Sequence, residues 1–428
     1  MKTYPPQVAL AIVVANMVGT GVFTSLGFQL LSLSSPLTIL ALWVVGGLCA
    51  LCGALCYAEL GTRHTASGGE YHFLTVLVHP YAGFISGLIS ATVGFAAPVA
   101  LAALTFGSYL SAGGVPLDPR FTATGLIGLL VLLHTRTRRN SAAGQVWLTV
   151  FKLALIILFI GLALVNTLPY SDQLLANNMA QLEEILRSET AIALIYVTYA
   201  YSGWNAATYI LGEMDNAQRH LPWVLGGGCA LVALLYVALN GVFLAAAPVD
   251  ELRGEVEIAY IVADHILGGS GAVVVSLILA GVLISTVSAM ILAGPRALQR
   301  LGEDYPRLAL LGRRNTDGLP TPAILSLGGL ALVFLWSATF EQILLIAGFL
   351  MALNTLVTVA ALFISRRLDR GVTVHGGFTM PLYPWPALVF LAITGWTVLY
   401  SALAFPSQLI AGMVALVLGI PLYRWARG

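Results

Sequence analysis

The chain has 428 residues, of which 58% are hydrophobic and only 9% are charged, with a net charge of +1. Soluble domains carry about a quarter charged residues, and the mean hydropathy here is +0.89, so an ordinary cytosolic enzyme is excluded.

Apolar runs long enough to cross about 30 Å of hydrocarbon as helices recur along the sequence. In order they fall near residues 8–30, 36–58, 82–111, 121–135, 143–167, 190–211, 222–246, 270–293, 322–338, 342–364, 384–404 and 407–424. The runs are continuous rather than alternating, which predicts helices and not a barrel. The fold class expected is an all-α integral membrane protein of roughly twelve spans.

The first span is interrupted by glycine and makes a poor signal peptide, so no cleavage is expected. It contains Asn16-Met17-Val18-Gly19-Thr20-Gly21-Val22-Phe23, small and polar at the midplane. The second span places Cys49, Cys52 and Cys56 on one helix face, and Cys229 lies in the seventh. No His or carboxylate accompanies them at that depth, which favours packing over metal binding. Glu59 with Arg63, and Glu213 with Arg219, read as pairs or caps at helix ends.

The fifth span carries Lys152, about ten residues or roughly 15 Å from the basic loop before it. A charge at that depth costs on the order of several kcal/mol and is by default a functional-site candidate. The alternative is a lysine facing an aqueous vestibule with a purely structural role. The sixth span contains Tyr199-Ala200-Tyr201-Ser202-Gly203-Trp204-Asn205 and looks broken like the first. Before it, Gln181 to Leu186 suit a short helix at the membrane surface. The segments near 248–269 and 296–320 read as loops.

With the N-terminus inside, the inner loops collect Arg63, Arg136, Arg138, Arg139, Arg219, Arg296, Arg300, Arg307, Arg313, Arg314, Arg366, Arg367 and Arg370, with Lys2, Arg424 and Arg427. The outer loops receive only Arg120, Arg187 and Arg253. Positive residues set orientation, which predicts an inner-membrane protein with both termini cytoplasmic.

The two broken spans stand five spans apart, as in two inverted halves, and such breaks point to a transporter's binding site. Gly19 and Gly21 permit the first break. The half-helix starting near Thr20 offers amides and positive dipole to a carboxylate, and Thr20 adds a hydroxyl. Carbonyls freed near Tyr199, Ala200 and Ser202 would accept bonds from an ammonium group. The combination suits a zwitterion. No phosphate loop, nucleophile elbow, metal-ligand cluster or redox motif is present, so no enzyme, metal or cofactor is expected. No carboxylate is evident in the pocket, which argues against cationic substrates.

In their order along the chain, Gly19-Thr20-Gly21-Val22-Phe23, Ala58-Glu59-Leu60, Ser67-Gly68-Gly69-Glu70-Tyr71, Phe151-Lys152, the sixth-span stretch, Gly212-Glu213-Met214, Gly294-Pro295-Arg296 and Leu319-Pro320-Thr321-Pro322 resemble the amino acid–polyamine–organocation superfamily, closest to its L-amino-acid transporter branch. The resemblance implies a LeuT-like five-plus-five inverted repeat, here 1–168 and 188–366, with two further helices in 384–428. It implies that Gly19, Thr20 and Gly21 hold the substrate carboxylate. Met17, Tyr199, Ala200 and Ser202 would hold the amino group, with Tyr199 as a gate and Asn205 as a side-chain contact. It further implies that Lys152 occupies the place of a coupling sodium, partnered by Ser285, Thr286 or Ser288.

Sodium-independent transport of small neutral L-amino acids by alternating access, as an exchanger, is the function expected; a proton-coupled permease using Lys152 or Glu59 is the alternative. The expected partners are the amino acid and the lipid bilayer, without nucleic acid. Relatives pair with a heavy chain through a cysteine between the third and fourth spans. Ser111 to Arg120 has none, so no heavy-chain subunit is expected.

Overall fold

The computed structural model describes residues 4–136, 141–166, 169–174, 188–368 and 377–428. The surface helix expected at Gln181 to Leu186, and the expected inner charges Lys2, Arg138, Arg139 and Arg370, lie outside the described residues, as does the outer Arg187. Among the described residues the architecture is helical throughout, and eight helices are long and apolar enough to cross a membrane.

Helices α1 (Pro6–Met17) and α2 (Gly21–Ser32) form one broken rod. They are followed by α3 (Pro36–Arg63), the short α4 (Glu70–Leu77), and α5 (Pro80–Ile89), which runs through a π-helical turn into α6 (Ala97–Ala112). Then come α7 (Pro119–Arg136) and α8 (Ser141–Val165). The second broken rod is α9 (Ser188–Tyr201) with a 3-10 segment (Ala206–Glu213). After it run α10 (Ala217–Ala246), α11 (Ile258–Ala293), α12 (Pro295–Asp304), α13 (Thr321–Ser337), α14 (Phe340–Leu368), α15 (Trp385–Ala404) and α16 (Pro406–Arg427). Prolines open many of these rods, where a missing N–H has no intrahelical partner to lose.

Two expected loops are helical instead. Residues 258–269 form the start of α11, which bends at Gly268 (φ 74°). Residues 295–304 form α12, whose Arg296 and Leu298 are buried while Glu303 faces outward.

The second broken rod lies on a run of glycines along α3. A Cβ on Gly46 would stand 2.3 Å from Val197 Cγ1, one on Gly47 3.0 Å from the Tyr201 hydroxyl, and one on Gly53 2.9 Å from the Trp204 ring. Outward faces are apolar: Trp147, Phe151, Leu158 and Val274 are all exposed, as suits contact with lipid.

At one end of the bundle Glu59 is fully buried yet fully partnered. Arg366 Nε and an Nη each approach it at 2.7 Å, as does Arg63, and the Met380 amide donates at 2.9 Å. The expected Glu59–Arg63 pair therefore includes a third member from α14. Removing Arg366 leaves Glu59 with one cation, and a charge-assisted bond contributes about 1.5–3 kcal/mol. Arg366→Ala should lower stability by roughly 2 kcal/mol, read as a lower melting temperature in detergent; an unchanged melt would mean Arg63 alone suffices. Among the described residues no ion pair joins Glu213 to Arg219. Its carboxylate lies 3.5 Å from Arg296, because α12 folds back beside the 3-10 segment.

Candidate functional site

Both predicted breaks are real interruptions, and they meet. Residues 18–20 separate α1 from α2, and residues 202–205 separate α9 from the 3-10 segment. The rods cross so closely that a Cβ on Gly21 would lie 2.4 Å from Ala200 Cα. Gly203 adopts φ +98°, and a Cβ there would meet the Asn16 backbone at 2.9 Å. Only glycine satisfies both the dihedral and the approach. Further along, Ser25 Oγ donates to the Tyr196 carbonyl (3.1 Å), fixing α2 against α9.

A cavity of about 30 Å³ opens between the two breaks, enough for roughly two waters. Met17, Gly19, Thr20 and Gly21 line it from the first rod; Tyr199, Ala200, Ser202 and Asn205 line it from the second. The remaining wall comes from the third, eighth and tenth spans through residues such as Ser90, Phe95, Met290 and Asn354.

The start of α2 leaves its first amides without intrahelical partners, with Thr20 at the cap position. The Gly19 amide is different: it folds back onto the Met17 carbonyl at 2.7 Å. That carbonyl also receives the Tyr236 hydroxyl, so in this closed arrangement it has no lone pair to spare for an ammonium group. The Tyr199 carbonyl accepts the Ser202 amide at 2.9 Å, and the Tyr199 hydroxyl lies beside the Thr20 side chain.

Lys152 is fully buried. Its ammonium donates to the Val18 carbonyl at 2.8 Å and to Thr286 Oγ1 at 2.6 Å, while Thr286 Oγ1 itself donates to Val18 O at 3.0 Å. Of the three hydroxyls weighed as partners, only Thr286 bonds to the lysine. Ser288 instead faces His134 at 2.9 Å, and Ser285 Oγ is buried without a partner. Lys152 thus sits behind the first break, outside the cavity lining, and ties its carbonyl to the eighth span.

The expectation of a pocket without a carboxylate is corrected. Glu70 lies in the cavity wall and is only 1% exposed. It accepts from the Tyr57 hydroxyl (3.0 Å), the Asn205 side-chain amide and the Tyr209 hydroxyl. Asn205 is therefore bound to Glu70. Gly68 and Gly69, at φ +122° and +56°, turn the chain so that the start of α4 points into the bundle. That glycine pair directly before an acidic residue was the available signal. Burial, with His64 and Arg300 nearby, brings the neighbouring His72 down to about 4, so it is neutral above that pH.

The four cysteines are free; Cys49 lies 3.6 Å from Thr394 Oγ1 and Cys56 3.6 Å from Met380 Sδ. Among the described residues no His, Cys, Asp or Glu cluster could hold a metal.

The amino acid permease family profile matches residues 7–419. The human cystine/glutamate transporter is 26% identical over 430 residues, covering 97% of this chain and 83% of that protein. The human Asc-type amino acid transporter 1 is 27% identical over 434 residues, covering 97% and 80%. The mouse b(0,+)-type amino acid transporter 1 is 26% identical over 418 residues, covering 94% and 85%. Among solved structures, MhsT in complex with L-phenylalanine superposes with a TM-score of 0.65 at 14% identity, covering 95% of this chain and all of that one.

Proposed function

This chain belongs to the amino acid permease family, a multi-pass membrane protein that transports amino acids and is not an enzyme, and from that premise we propose that it exchanges small neutral L-amino acids without sodium. The observation that carries the sodium-independent part is the Lys152 ammonium held between Val18 O and Thr286 Oγ1. A cation fixed to the chain supplies the charge that a bound metal ion would supply, but it cannot dissociate and cannot draw on a gradient. The substrate carboxylate sits at the start of α2 on Thr20 and Gly21, where free amides and the helix dipole converge. The Gly19 amide joins them once it lets go of Met17 O, which also frees that carbonyl for the ammonium group.

The small cavity and its Gly, Ala and Ser lining favour alanine- or serine-sized side chains. Tyr199 closes over the substrate as a gate. Tyr199→Phe keeps the ring and removes the hydroxyl from beside Thr20, a change of about 1 kcal/mol. It should raise KM for alanine roughly fivefold with kcat nearly unchanged, measured as initial uptake rates. In this reading the protein spans the inner membrane with cytoplasmic termini, which the arginines of its predicted inner loops support. It works without a heavy chain, since 111–120 contain no cysteine; copurification of a stoichiometric single-span subunit would contradict this.

The deciding experiment is uptake of labelled alanine into proteoliposomes in sodium-free buffer, with or without amino acid inside. Uptake that needs internal amino acid supports exchange; uptake only with sodium overturns the reading. A proton-coupled permease is the second reading. Glu59 no longer favours it, since both its oxygens are paired with arginines. The buried Glu70 does.

A further inference from the structure

Glu70 has no part in the contacts proposed for the substrate, yet it is a carboxyl group in the wall of the cavity. All three of its bonded partners are neutral donors: Tyr57, Asn205 and Tyr209. No ion pair reaches it among the described residues. Among the described residues Tyr57 faces it from α3, and Asn205 and Tyr209 face it from the second break and the 3-10 segment; the π-helical turn and α14 contribute Ser90, Asn354 and Thr358. On its own helix Tyr71 is turned to Asp304, and His72 packs against His64 and Phe73. Arg300, beside Gly68, is paired with Glu303 and Asp304. The carboxyl is thus held by donors alone, with no fixed counter-charge.

Its surroundings fit both protonation states. An ionised carboxylate only accepts, and three donors point at it. When it carries a proton, one of those donors must turn away and offer an acceptor. Tyr209 can do so, because its hydroxyl also lies 2.9 Å from Ser90 Oγ. Tyr57 has the Thr358 hydroxyl beside it, to which it can turn. Either phenol oxygen can then accept the Glu70 O–H, so no buried polar group is left unbonded in either state.

We propose that Glu70 is a proton-binding site of the transport pathway, and that amino acid passes through the cavity when Glu70 is protonated. The proton comes from cavity water and returns to it; the only bond made and broken is O–H. When ionised, Glu70 ties α4 to α3 and to the 3-10 segment through charge-assisted bonds, roughly twice as strong as neutral ones. Stripping an anion of those donors inside the protein is costly. Protonation weakens all three bonds together and lets the 3-10 segment move with the second break. The proposal rests on the reading that this cavity carries an amino acid.

The test is alanine exchange in sodium-free proteoliposomes, with equal pH on both sides, stepped from acid to alkaline. Wild type is expected to slow as pH rises, while Glu70→Gln, permanently neutral, keeps one rate at every pH. Tyr57→Phe removes a donor from the anion, so its midpoint should move to higher pH. A wild-type pH profile in Glu70→Gln overturns the proposal. If that variant does not fold, an unshifted midpoint in Tyr57→Phe overturns it instead. Wild-type exchange that is active but indifferent to pH sinks the proton site alone. Wild type that moves no alanine at any pH sinks the transport reading together with it.

Discussion

Lys152→Ala is expected to slow alanine exchange about a hundredfold while leaving the protein folded. The ammonium makes two short bonds, to Val18 O and Thr286 Oγ1. Bonds from a charged donor contribute about 1.5–3 kcal/mol each, so losing both removes on the order of 3 kcal/mol, or two decades in an equilibrium constant. The loss falls on the geometry of the first break, because Val18 directly precedes the Gly19–Thr20–Gly21 stretch that lines the cavity. Thr286 can still donate to Val18 O, which keeps the carbonyl from being orphaned and spares the fold. Lys152→Met keeps most of the side-chain volume and separates lost charge from lost packing. Added sodium that restores exchange in Lys152→Ala would show that the ammonium stands where a metal ion could. Unchanged uptake and exchange in both variants would remove Lys152 from the mechanism.

The second large effect is expected at Gly21. An added methyl group would sit 2.4 Å from Ala200 Cα and 2.7 Å from Ala200 Cβ, with backbone rather than a flexible chain end in the way. Overpacking of this kind costs about 1–3 kcal/mol, and here it pries apart the two breaks that line the cavity. Gly21→Ala should cut alanine transport by more than about tenfold and lower the melting temperature. Gly125 provides the contrast, since nothing lies within 4 Å of its Cβ direction and it is exposed in the interior of α7. Gly125→Ala should be neutral for transport and stabilising by about 0.5–1 kcal/mol. Equal transport by the Gly21 and Gly125 variants would mean that the crossing is looser than the distances state.

The architecture was legible because hydrophobic thickness and broken spans are local signals. The all-α fold, the two interruptions and the out-of-place lysine can each be read within a window of about twenty residues. Glu70 could not be read that way. Its partner Asn205 is 135 positions distant, and its burial depends on α4 turning back into the bundle after Gly68 and Gly69. The sequence alone therefore left a polar residue between two spans looking like a loop residue. The choice of Thr286 over Ser288 also depended on rotation of α11, which hydropathy does not encode, since those two side chains point to Lys152 and His134 respectively. The segment from Arg296 to Asp304 read as a loop for a related reason. A short amphipathic helix of ten residues is too brief to register as a span and too polar to look buried.

The glycines along α3 have a mechanical consequence. Where two helices interlock through large side chains, sliding one past the other means lifting each knob out of its hole. Gly46, Gly47 and Gly53 present no knobs to Val197, Tyr201 and Trp204. The second broken rod accordingly rests on a track that is close-fitting but untoothed. It holds the rod at a fixed distance while offering little friction to a tilt about its own break, so α3 acts as a bearing and not as a clamp.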